Sequence, residues 1–489
     1  MQPVISIKKM RTNLFQRLAG LFLFLCLTTQ AKADKTICVL ADIHVMSPSL
    51  LDSSDNIAWQ KDLAEHRKMQ DLSAPIFNQL IEQIIAEHPD VLLICGDLTK
   101  DGEAASHAYV VERLKKVKAA GIPVFVIPGN HDRGSQEEAR KYANNTYTPI
   151  ESFTYAQFQE AYKDFGYGGN CEVHDATLSY AVELFPGLTL IGIDSSNMAH
   201  VNKTAVSWSS QKAAEARNKG NQVIAMVHHS LIPHFYEQES FMVLSVINNN
   251  DVLRESLMSA GVKVVLTGHY HISDNTRFID SKGREIYDIC TGSPISYPCD
   301  YRKLIFDDQF KQLKILTESI TTLDGYDDFP NYAKGRLEDA FLQWSRNWFK
   351  ERNVNELVTE VMSQSVAEAF IIHAEGNEPA NPATEEALVL YDEILAMAPF
   401  FEGDASKITE VCLSIKSMLG DYPSEDEPDN VVDDRQLTIT MHGEPAGIQN
   451  IQATDAHKDS WFTLQGQRLN GRPTKSGLYI RNGRIIIVH

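Results

Sequence analysis

The stretch Val91-Leu92-Leu93-Ile94-Cys95-Gly96-Asp97 is an apolar run that ends on a Gly-Asp pair. Branched apolar residues favour a buried strand, and the glycine lets the backbone turn sharply where that strand ends. In an α/β protein, ligands gather beyond the carboxyl ends of the strands. The stretch therefore predicts a core strand that brings Asp97 to the edge of a sheet.

Four further apolar runs end in the same way, at residues 37–40, 124–127, 223–227 and 262–266. Polar segments follow them in this order: Asp42-Ile43-His44, Gly129-Asn130-His131-Asp132, His228-His229 and Gly268-His269-Tyr270-His271. The five runs alternate with segments of helical pattern, which predicts an α/β core. We therefore expect the five strand ends to meet at one sheet edge.

The side chains at these strand ends are metal ligands. The Asp-x-His and His-x-His spacings place both members of a pair on one side of an extended segment. Carboxylate, amide and imidazole together suit Mn, Fe or Zn. Two such ions can clamp the attacking and leaving oxygens of a phosphoryl displacement. The sequence thus predicts two divalent or trivalent metal ions, with Asp97 as the bridging carboxylate.

The five segments resemble those of the calcineurin-like metallophosphoesterase superfamily over roughly residues 35–310. The resemblance implies a β-sandwich flanked by helices, with the metals at the sheet edge. It also implies a ligand set for each metal: Asp42, His44, Asp97 and His271 for one, and Asp97, Asn130, His228 and His269 for the other.

The same resemblance implies a mechanism, in which a hydroxide that bridges the metals attacks phosphorus in line. His131 would protonate the leaving oxygen or clamp the phosphoryl group, and Asp132 would orient the His131 imidazole. His228 and His229 are both candidates after the fourth strand. The family pattern favours His228 and leaves His229 as a residue that lines the pocket or supports a ligand.

The residues around two of the motifs indicate the substrate class. Protein phosphatases of this superfamily usually carry an arginine soon after the Gly-Asp pair and a glutamate after Gly-Asn-His. Here Leu98-Thr99-Lys100-Asp101-Gly102 and Asp132 take those places. These residues resemble those of the cyclic-nucleotide phosphodiesterase-like branch. The resemblance implies hydrolysis of phosphodiesters or small phosphomonoesters. A phosphoprotein phosphatase and a catalytically silent binding scaffold are the alternatives.

The first 33 residues are typical of a secretory signal peptide. A basic start is followed by the apolar residues 18–27 and by Ala31-Lys32-Ala33, a small-x-small cleavage pattern. The apolar stretch is too short to cross a bilayer, which needs about 20 residues. We therefore expect export to the periplasm, the cell surface or the medium, with no transmembrane span.

The formal net charge of −20 argues against binding to a nucleic-acid backbone, since that binding depends on Lys and Arg neutralising phosphates. Bound metal ions would still attract a small phosphate ester to the pocket. Cys290 and Cys299 flank a loop and could form a disulfide in an oxidising compartment.

Composition predicts the remaining domains. Residues 34–320 form the catalytic domain, and residues 321–420, with apolar side chains at helical spacing, form a helical extension. The extension is expected either to cap the active-site mouth or to dock elsewhere. Residues 421–434, half of them acidic, read as a linker.

Residues 435–489 combine short β runs with glycines and predict a small β domain. Its end, residues 477–489, resembles C-terminal sorting domains of the Bacteroidota type IX secretion system, which implies contact with secretion machinery. A plain β accessory module is the alternative.

Overall fold

The computed structural model describes residues 33–133, 138–236, 238–400, 403–421, 433–441, 461–463, 468–469, 477–481 and 484–488. The predicted signal peptide lies outside these residues. The chain divides into two compact units, residues 1–442 and 443–489. In the described part of the chain, none of the helices is both long and apolar enough to pass through a bilayer.

The first unit is a mixed α/β structure, as predicted. Its strands are β1 (Lys35–Leu40), β2 (Val91–Ile94), β3 (Val124–Val126), β4 (Arg140–Ala143), β5 (Thr146–Pro149), β6 (Glu172–Val173), β7 (Tyr180–Phe185), β8 (Leu188–Ile193), β9 (Gln222–Val227), β10 (Val264–Thr267), β11 (Asp274–Ile279), β12 (Glu285–Cys290), β13 (Asp300–Phe306), β14 (Gln312–Ser319) and β15 (Gln436–Thr440).

Its helices are α1 (Ile57–Glu65), α2 (Ser73–Glu87), α3 (Ala104–Ala119), α4 (Tyr155–Ala161), α5 (Lys203–Asn218), α6 (Gln238–Phe241), α7 (Asn250–Ser259), α8 (Phe329–Glu351), α9 (Glu356–Glu375), α10 (Pro382–Met397) and α11 (Ala405–Leu419). Residues 66–72, between α1 and α2, are not α-helical.

Two sheets form the catalytic core. One has the order β15-β14-β13-β1-β2-β3 and the other the order β11-β12-β10-β9-β8-β7-β6. Strand β9 shows how they pack, since its side chains alternate between two cores. Ile224 and Met226 join Leu93 of β2 in the core between the sheets, whereas Val223 and Ala225 pack on the outer face with α7. This is the predicted β-sandwich flanked by helices.

Parallel pairing aligns the strand ends that carry the motifs. Leu40 of β1 lies opposite Ile94 of β2, which lies opposite Val126 of β3. In the second sheet, Met226 of β9 lies opposite Leu266 of β10. The five predicted segments therefore leave their sheets side by side.

The helical extension packs on the catalytic core. Phe341 of α8 and Phe370 of α9 share one apolar cluster with Phe235, Tyr270 and Ile272 of the catalytic part. The Phe341 and Phe370 rings stack with centroids 4.1 Å apart. The extension therefore packs against the loops that follow β9 and β10.

Strand β15 pairs with β14 in the catalytic sheet, with Leu437 opposite Ile315, whereas the sequence analysis assigned residues 435–489 to a separate small β domain. Its apolar side chains complete the sandwich edge, and Ile439 is buried there. Both ends of the predicted linker, Asp421 and Asp434, are also buried. Cys290 and Cys299 are both buried free thiols.

The described residues of the second unit form an antiparallel sheet. Its strands are β16 (Trp461–Thr463), β17 (Arg468–Leu469), β18 (Gly477–Arg481) and β19 (Arg484–Val488), in the order β17-β16-β18-β19. The short β runs predicted there are present.

Candidate metal centre

The ends of β1 and β2 are tied together at the sheet edge. The backbone N–H of Asp42 donates to Gly96 O at 3.1 Å, and that of His44 donates to Asp97 O at 2.9 Å. These bonds extend the parallel pairing past the last strand residues. They place both side chains of the Asp-x-His motif beside Asp97.

One donor cluster consists of Asp42, His44, Asp97 and His271, all buried and all within 4.8 Å of one another through one atom each. His44 Nε2 lies 3.0 Å from His271 Nε2, 3.5 Å from Asp97 Oδ2 and 3.8 Å from Asp42 Oδ1. His271 Nε2 lies 3.5 Å from Asp42 Oδ1. These four are the residues that the resemblance implies for one metal.

The second cluster shares Asp97 with the first. His228 Nε2 lies 3.3 Å from Asp97 Oδ2, 3.1 Å from Asn130 Oδ1 and 3.3 Å from His269 Nδ1. One oxygen, Asp97 Oδ2, thus faces both His44 and His228. It is placed as a bridging carboxylate oxygen would be.

Hydrogen bonds turn the donor atoms inward. The His131 N–H donates to Asp97 Oδ1 at 2.8 Å, and the His269 N–H donates to Asp42 Oδ2 at 2.7 Å. His228 Nδ1 donates to Cys95 O at 2.7 Å. Each bond occupies one atom of the group and leaves the other, Asp97 Oδ2, Asp42 Oδ1 or His228 Nε2, for the cluster. Such orientation is typical of metal ligands.

The donor set fits a pair of cations. Asp42 Oδ1 is buried and has no hydrogen-bond partner among the described residues, although three imidazole nitrogens lie within 3.9 Å of it. A buried carboxylate oxygen without a hydrogen-bond partner destabilises the folded state unless a positive charge compensates it. Carboxylate, amide and imidazole donors at these spacings suit Mn, Fe or Zn.

Backbone strain is concentrated at the same residues. Five of the predicted ligands have a positive φ: 52° at Asp42, 38° at His44, 49° at Asp97, 68° at His269 and 68° at His271. Residues other than glycine adopt this left-handed conformation at a cost of about 1–3 kcal/mol each, and such strain clusters at functional sites.

Two glycines leave the space for this arrangement. A Cβ at Gly129 would lie 2.1 Å from Asp97 Oδ1, and a Cβ at Gly268 would lie 2.7 Å from Asp42 Oδ2. Both glycines stand next to a predicted ligand in the chain. The Gly-Asn-His and Gly-His motifs therefore need glycine because the backbone passes directly over a ligand carboxylate.

Protonation of His228 opposes metal binding. Burial lowers the pKa of His228, but the charges of Asp97 and Asp42 outweigh it and raise that pKa to about 9. For His44, burial and then the charge of Lys68 hold the pKa well below its usual value. Because a ligand imidazole must be neutral, His228 gives up a proton when a cation enters.

His229 lies close behind the second cluster. Its Nδ1 lies 2.8 Å from Ser195 Oγ, and its ring is 4.3 Å from that of His269. His228, His229 and His269 also lie within 4.8 Å of one another through one nitrogen each. The structure therefore places both histidines at the centre, with only His228 facing Asp97.

The partner of His131 differs from the prediction. Asp132 does not orient the His131 ring, because its carboxylate accepts the backbone N–H groups of Leu98, Thr99 and Gly129 at 2.9–3.1 Å. His131 Nδ1 instead lies 2.9 Å from Asp101 Oδ1. No motif marked Asp101 as a functional residue, although it follows Asp97 by only four residues.

Asp101 belongs to a buried ion-pair network. Its other oxygen pairs with Lys100 at 2.5 Å, and Lys100 also lies 3.3 Å from Asp62. Burial raises the pKa of Asp101, but the hydrogen bond from His131 and the charge of Lys100 outweigh it and keep that pKa below its usual value. Asp101 is thus an ionised partner for His131.

A pocket of about 470 Å³ opens onto the centre. Asp97, His131 and His269 line its floor, and Trp344 and Trp348 of α8 line the opposite wall. The helical extension therefore contributes to the lining of the pocket through α8.

Two cations also line the pocket. Arg67 and Lys68 lie in the segment between α1 and α2. Lys68 Nζ lies 3.3 Å from His44 Nδ1. Within the described part of the chain, Arg67 has no carboxylate at ion-pair distance, and its guanidinium lies 5.2 Å from the Phe341 ring centroid. No motif marked these residues in the sequence.

The family comparison agrees with this geometry. The family model for calcineurin-like phosphoesterase matches residues 35–273. That span holds all seven predicted ligands together with His131. Residues 35–273, just under half of the chain, are therefore similar to calcineurin-like phosphoesterases.

Two curated relatives match a short part of the chain. One is the DNA double-strand break repair protein Mre11 of Saccharolobus solfataricus, 41% identical over 59 residues, which is 12% of this chain and 16% of the relative. The other is the Sulfurisphaera tokodaii protein of the same name, 43% identical over 58 residues, 12% of this chain and 15% of the relative. The chain thus spans about one sixth of the length of the relatives it matches.

Two solved structures are similar to part of the chain. A dimetal phosphatase from Danio rerio is 13% identical, with 59% of this chain and 96% of that chain covered and a TM-score of 0.43. A purple acid phosphatase from yellow lupin (Lupinus luteus) is 12% identical, with 60% and 53% covered and a TM-score of 0.38.

Proposed function

We propose that this protein is a metal-dependent phosphoesterase that hydrolyses phosphodiesters or small phosphomonoesters. One observation carries the proposal: two donor clusters share Asp97 Oδ2, at 3.5 Å from His44 Nε2 and 3.3 Å from His228 Nε2, at the floor of a pocket that also contains His131. A scaffold without catalysis has no need for strained ligands beside an open pocket.

Bound at the two clusters, Mn, Fe or Zn would supply Lewis acidity for an in-line displacement at phosphorus. The protein side chains position the metal ligands and the proton donor for that displacement. Asp97 fixes the two clusters relative to each other, and Asn130 presents its amide oxygen to one of them. The His131 side chain, 15% exposed, lies beside them and is positioned to donate a proton to the leaving oxygen.

Asp101 keeps His131 in place for this role. The carboxylate accepts from Nδ1, so Nε2 is the nitrogen that can face a substrate. Lys100 in turn fixes Asp101. His131 is thus held by a chain of buried charges and does not depend on the metals for its orientation.

The pocket favours a small substrate over a phosphoprotein. Helix α8 lines the pocket, whose volume is about 470 Å³. This volume is typical of small-molecule sites. Arg67 and Lys68 lie where a phosphate oxygen would approach, and the two tryptophans offer flat apolar surface for the rest of the molecule. The residues after Asp97 support the phosphodiesterase-like branch.

Hydrolysis of bis-nitrophenyl phosphate and nitrophenyl phosphate, with added Mn or with a chelator, tests the proposal. We expect metal-dependent turnover of at least one ester. Turnover restricted to phosphopeptides would indicate a phosphoprotein phosphatase, and no turnover with two metals bound would indicate a scaffold. A panel of cyclic nucleotides, nucleotides and phospholipid head-group esters then identifies the substrate class.

The role of Arg67 has a matched control. Arg67→Gln should raise KM about tenfold or more with little change in kcat, since a charged hydrogen bond contributes about 1.5–3 kcal/mol. Arg336→Gln removes an arginine whose partners are Asp71 and Tyr332, outside the pocket lining. It should leave KM unchanged. An equal effect of both changes would contradict the assignment.

We also propose that the protein is exported. The basic start, the apolar residues 18–27 and the Ala-x-Ala pattern support a cleaved signal peptide. The glycine-punctuated β runs of residues 477–489 support a sorting role for the second unit, through contact with secretion machinery. Amino-terminal sequencing of protein from culture medium and from cells tests both, and a chain that retains residues 1–33 inside the cell would contradict them.

A further inference from the structure

A second group of buried carboxylates lies away from the metal centre. We call Asp274, Glu378, Asp421 and Asp434 the acid cluster, and each is at most 6% exposed. One oxygen from each of Asp274, Asp421 and Asp434 lies within 4.8 Å of the others. Carboxylates this close and this deeply buried repel strongly unless something positive lies between them.

The cluster contains polar atoms with no protein partner. Asp274 Oδ2 and Glu378 Oε2 are buried without a hydrogen-bond partner among the described residues, and so is Nε2 of the adjacent His373. These side chains are 1%, 1% and 2% exposed. Buried polar atoms are nearly always satisfied, so three orphans at one place indicate a missing ligand.

Neighbouring cations do not balance the charge. His234 Nδ1 lies 2.8 Å from Asp274 Oδ1 and offsets that one carboxylate. Arg302 donates to the backbone oxygens of Asp434 and Cys290 and to Asn275 Oδ1, not to the carboxylates. Burial lowers the pKa of His373 to about 4 and keeps it neutral.

The hydrogen bonds of Asp434 favour its ionised form. Oδ1 accepts the Asn275 N–H at 2.8 Å and Oδ2 accepts the Asn377 N–H at 2.9 Å. Both oxygens therefore act as acceptors. Without a cation, burial and then the charges of Asp434 and Asp274 raise the pKa of Asp421 to about 11. The cluster must take up either protons or a metal ion.

We propose that the acid cluster binds one hard divalent cation, Ca²⁺, through Asp274, Asp421 and Asp434, with Glu378 at its edge. Ca²⁺ binds oxygen ligands at about 2.3–2.6 Å, so ligands on opposite sides of the ion lie up to about 5 Å apart, which matches the observed spacing. All candidate ligands are oxygens, which favours Ca²⁺ over Zn.

The position of the cluster gives this ion a structural role. Asp274 begins β11, Glu378 follows α9, Asp421 follows α11 and Asp434 precedes β15. The ion therefore ties the helical extension and β15, the edge strand of the six-stranded sheet, to the catalytic core. Because α8 of that extension lines the pocket, the ion also stabilises the wall of the active site.

Thermal unfolding of the full chain in Ca²⁺ and in EGTA tests the proposal. Ca²⁺ at a hundredfold excess over Kd should raise Tm by about 3 °C. Asp97→Asn, which damages the other centre, should keep this rise. Asp421→Asn should lose it, and in EGTA this variant should be more stable than the wild type, because its amide is buried without the cost of protonating a carboxyl on folding. Asp433→Asn, an exposed neighbour, should keep the rise.

Glu378→Gln repeats the test if Asp421→Asn does not fold, and equilibrium dialysis of the Asp97→Asn protein should show one bound Ca²⁺ per chain. The proposal is overturned if Ca²⁺ fails to raise the Tm of the wild type. It is also overturned if the rise survives Asp421→Asn or Glu378→Gln but disappears in Asp97→Asn. Either outcome means that the cluster holds protons.

Discussion

The two groups of carboxylates in the first unit differ in donors and in access to solvent. The metal centre mixes imidazole, amide and carboxylate at the floor of a pocket, whereas the acid cluster offers only oxygens and is closed off. Structural metal sites are closed, and catalytic sites keep an open position for substrate. Carboxylate ligands therefore take part in the reaction at the metal centre, whereas at the acid cluster they contribute to stability.

The largest expected effect is that of Asp97→Asn, because Asp97 Oδ2 faces both donor clusters. Turnover should be abolished, a loss beyond the about 10- to 100-fold typical of residues that only support a ligand. Metal analysis should show both catalytic ions weakened. Retained turnover with two bound ions would show that the clusters do not depend on a shared carboxylate and would break the comparison.

His131→Ala should have the next largest effect. The variant should keep its metals and lose about a hundred- to ten-thousand-fold in rate, the usual contribution of general acid catalysis. Metal content and kcat measured on one preparation check this. Loss of metals in this variant would make His131 a ligand and not a proton donor.

Asp101→Asn should reduce the rate by less than His131→Ala, about tenfold to a hundredfold, since Asp101 acts only through His131. The loss should appear in kcat, because Asp101 acts on the orientation of His131. Asp132→Asn is the matched control. It should lower Tm through the loop that Asp132 holds and leave kcat unchanged. The reverse pattern would restore the role predicted for Asp132.

Much of the metal centre could be predicted because each ligand follows directly after a strand, and parallel pairing brings such positions together. The hydrogen-bond partner of His131 could not be predicted from the sequence. The path of the loop after Gly96 decides whether Asp101 or Asp132 lies within hydrogen-bond distance of the imidazole. Arg67 and Lys68 line the pocket from residues 66–72, the segment between α1 and α2 that is not α-helical.

The acid cluster and β15 were missed for a different reason. Their members come from four distant segments, and composition marked residues 421–434 as a solvated linker. Two of those residues are buried only because β15 pairs with β14. That pairing joins segments more than 100 residues apart, and no local pattern specifies it.

The smallest effect concerns a buried carboxyl outside both groups. Glu103 is fully buried, its Oε2 accepts the Asp101 N–H at 3.3 Å, and its Oε1 has no hydrogen-bond partner among the described residues. Burial and then the charge of Asp101 raise its pKa to about 7. A lone buried carboxyl can remain neutral by keeping a proton, whereas the acid cluster contains too many carboxyls in one place for this to cost little.

A raised pKa in the folded state means that Glu103 contributes stability below its unfolded pKa of about 4.5 and that this contribution is lost as pH rises through about 7. Glu103→Gln imitates the protonated form. It should raise the free energy of unfolding at pH 8 by at most about 3 kcal/mol and change it little at pH 4.5. Urea unfolding at both pH values checks this, with the exposed Glu160→Gln as control. Equal destabilisation at both pH values would show that Glu103 is ionised and paired, and the contrast with the acid cluster would then fail.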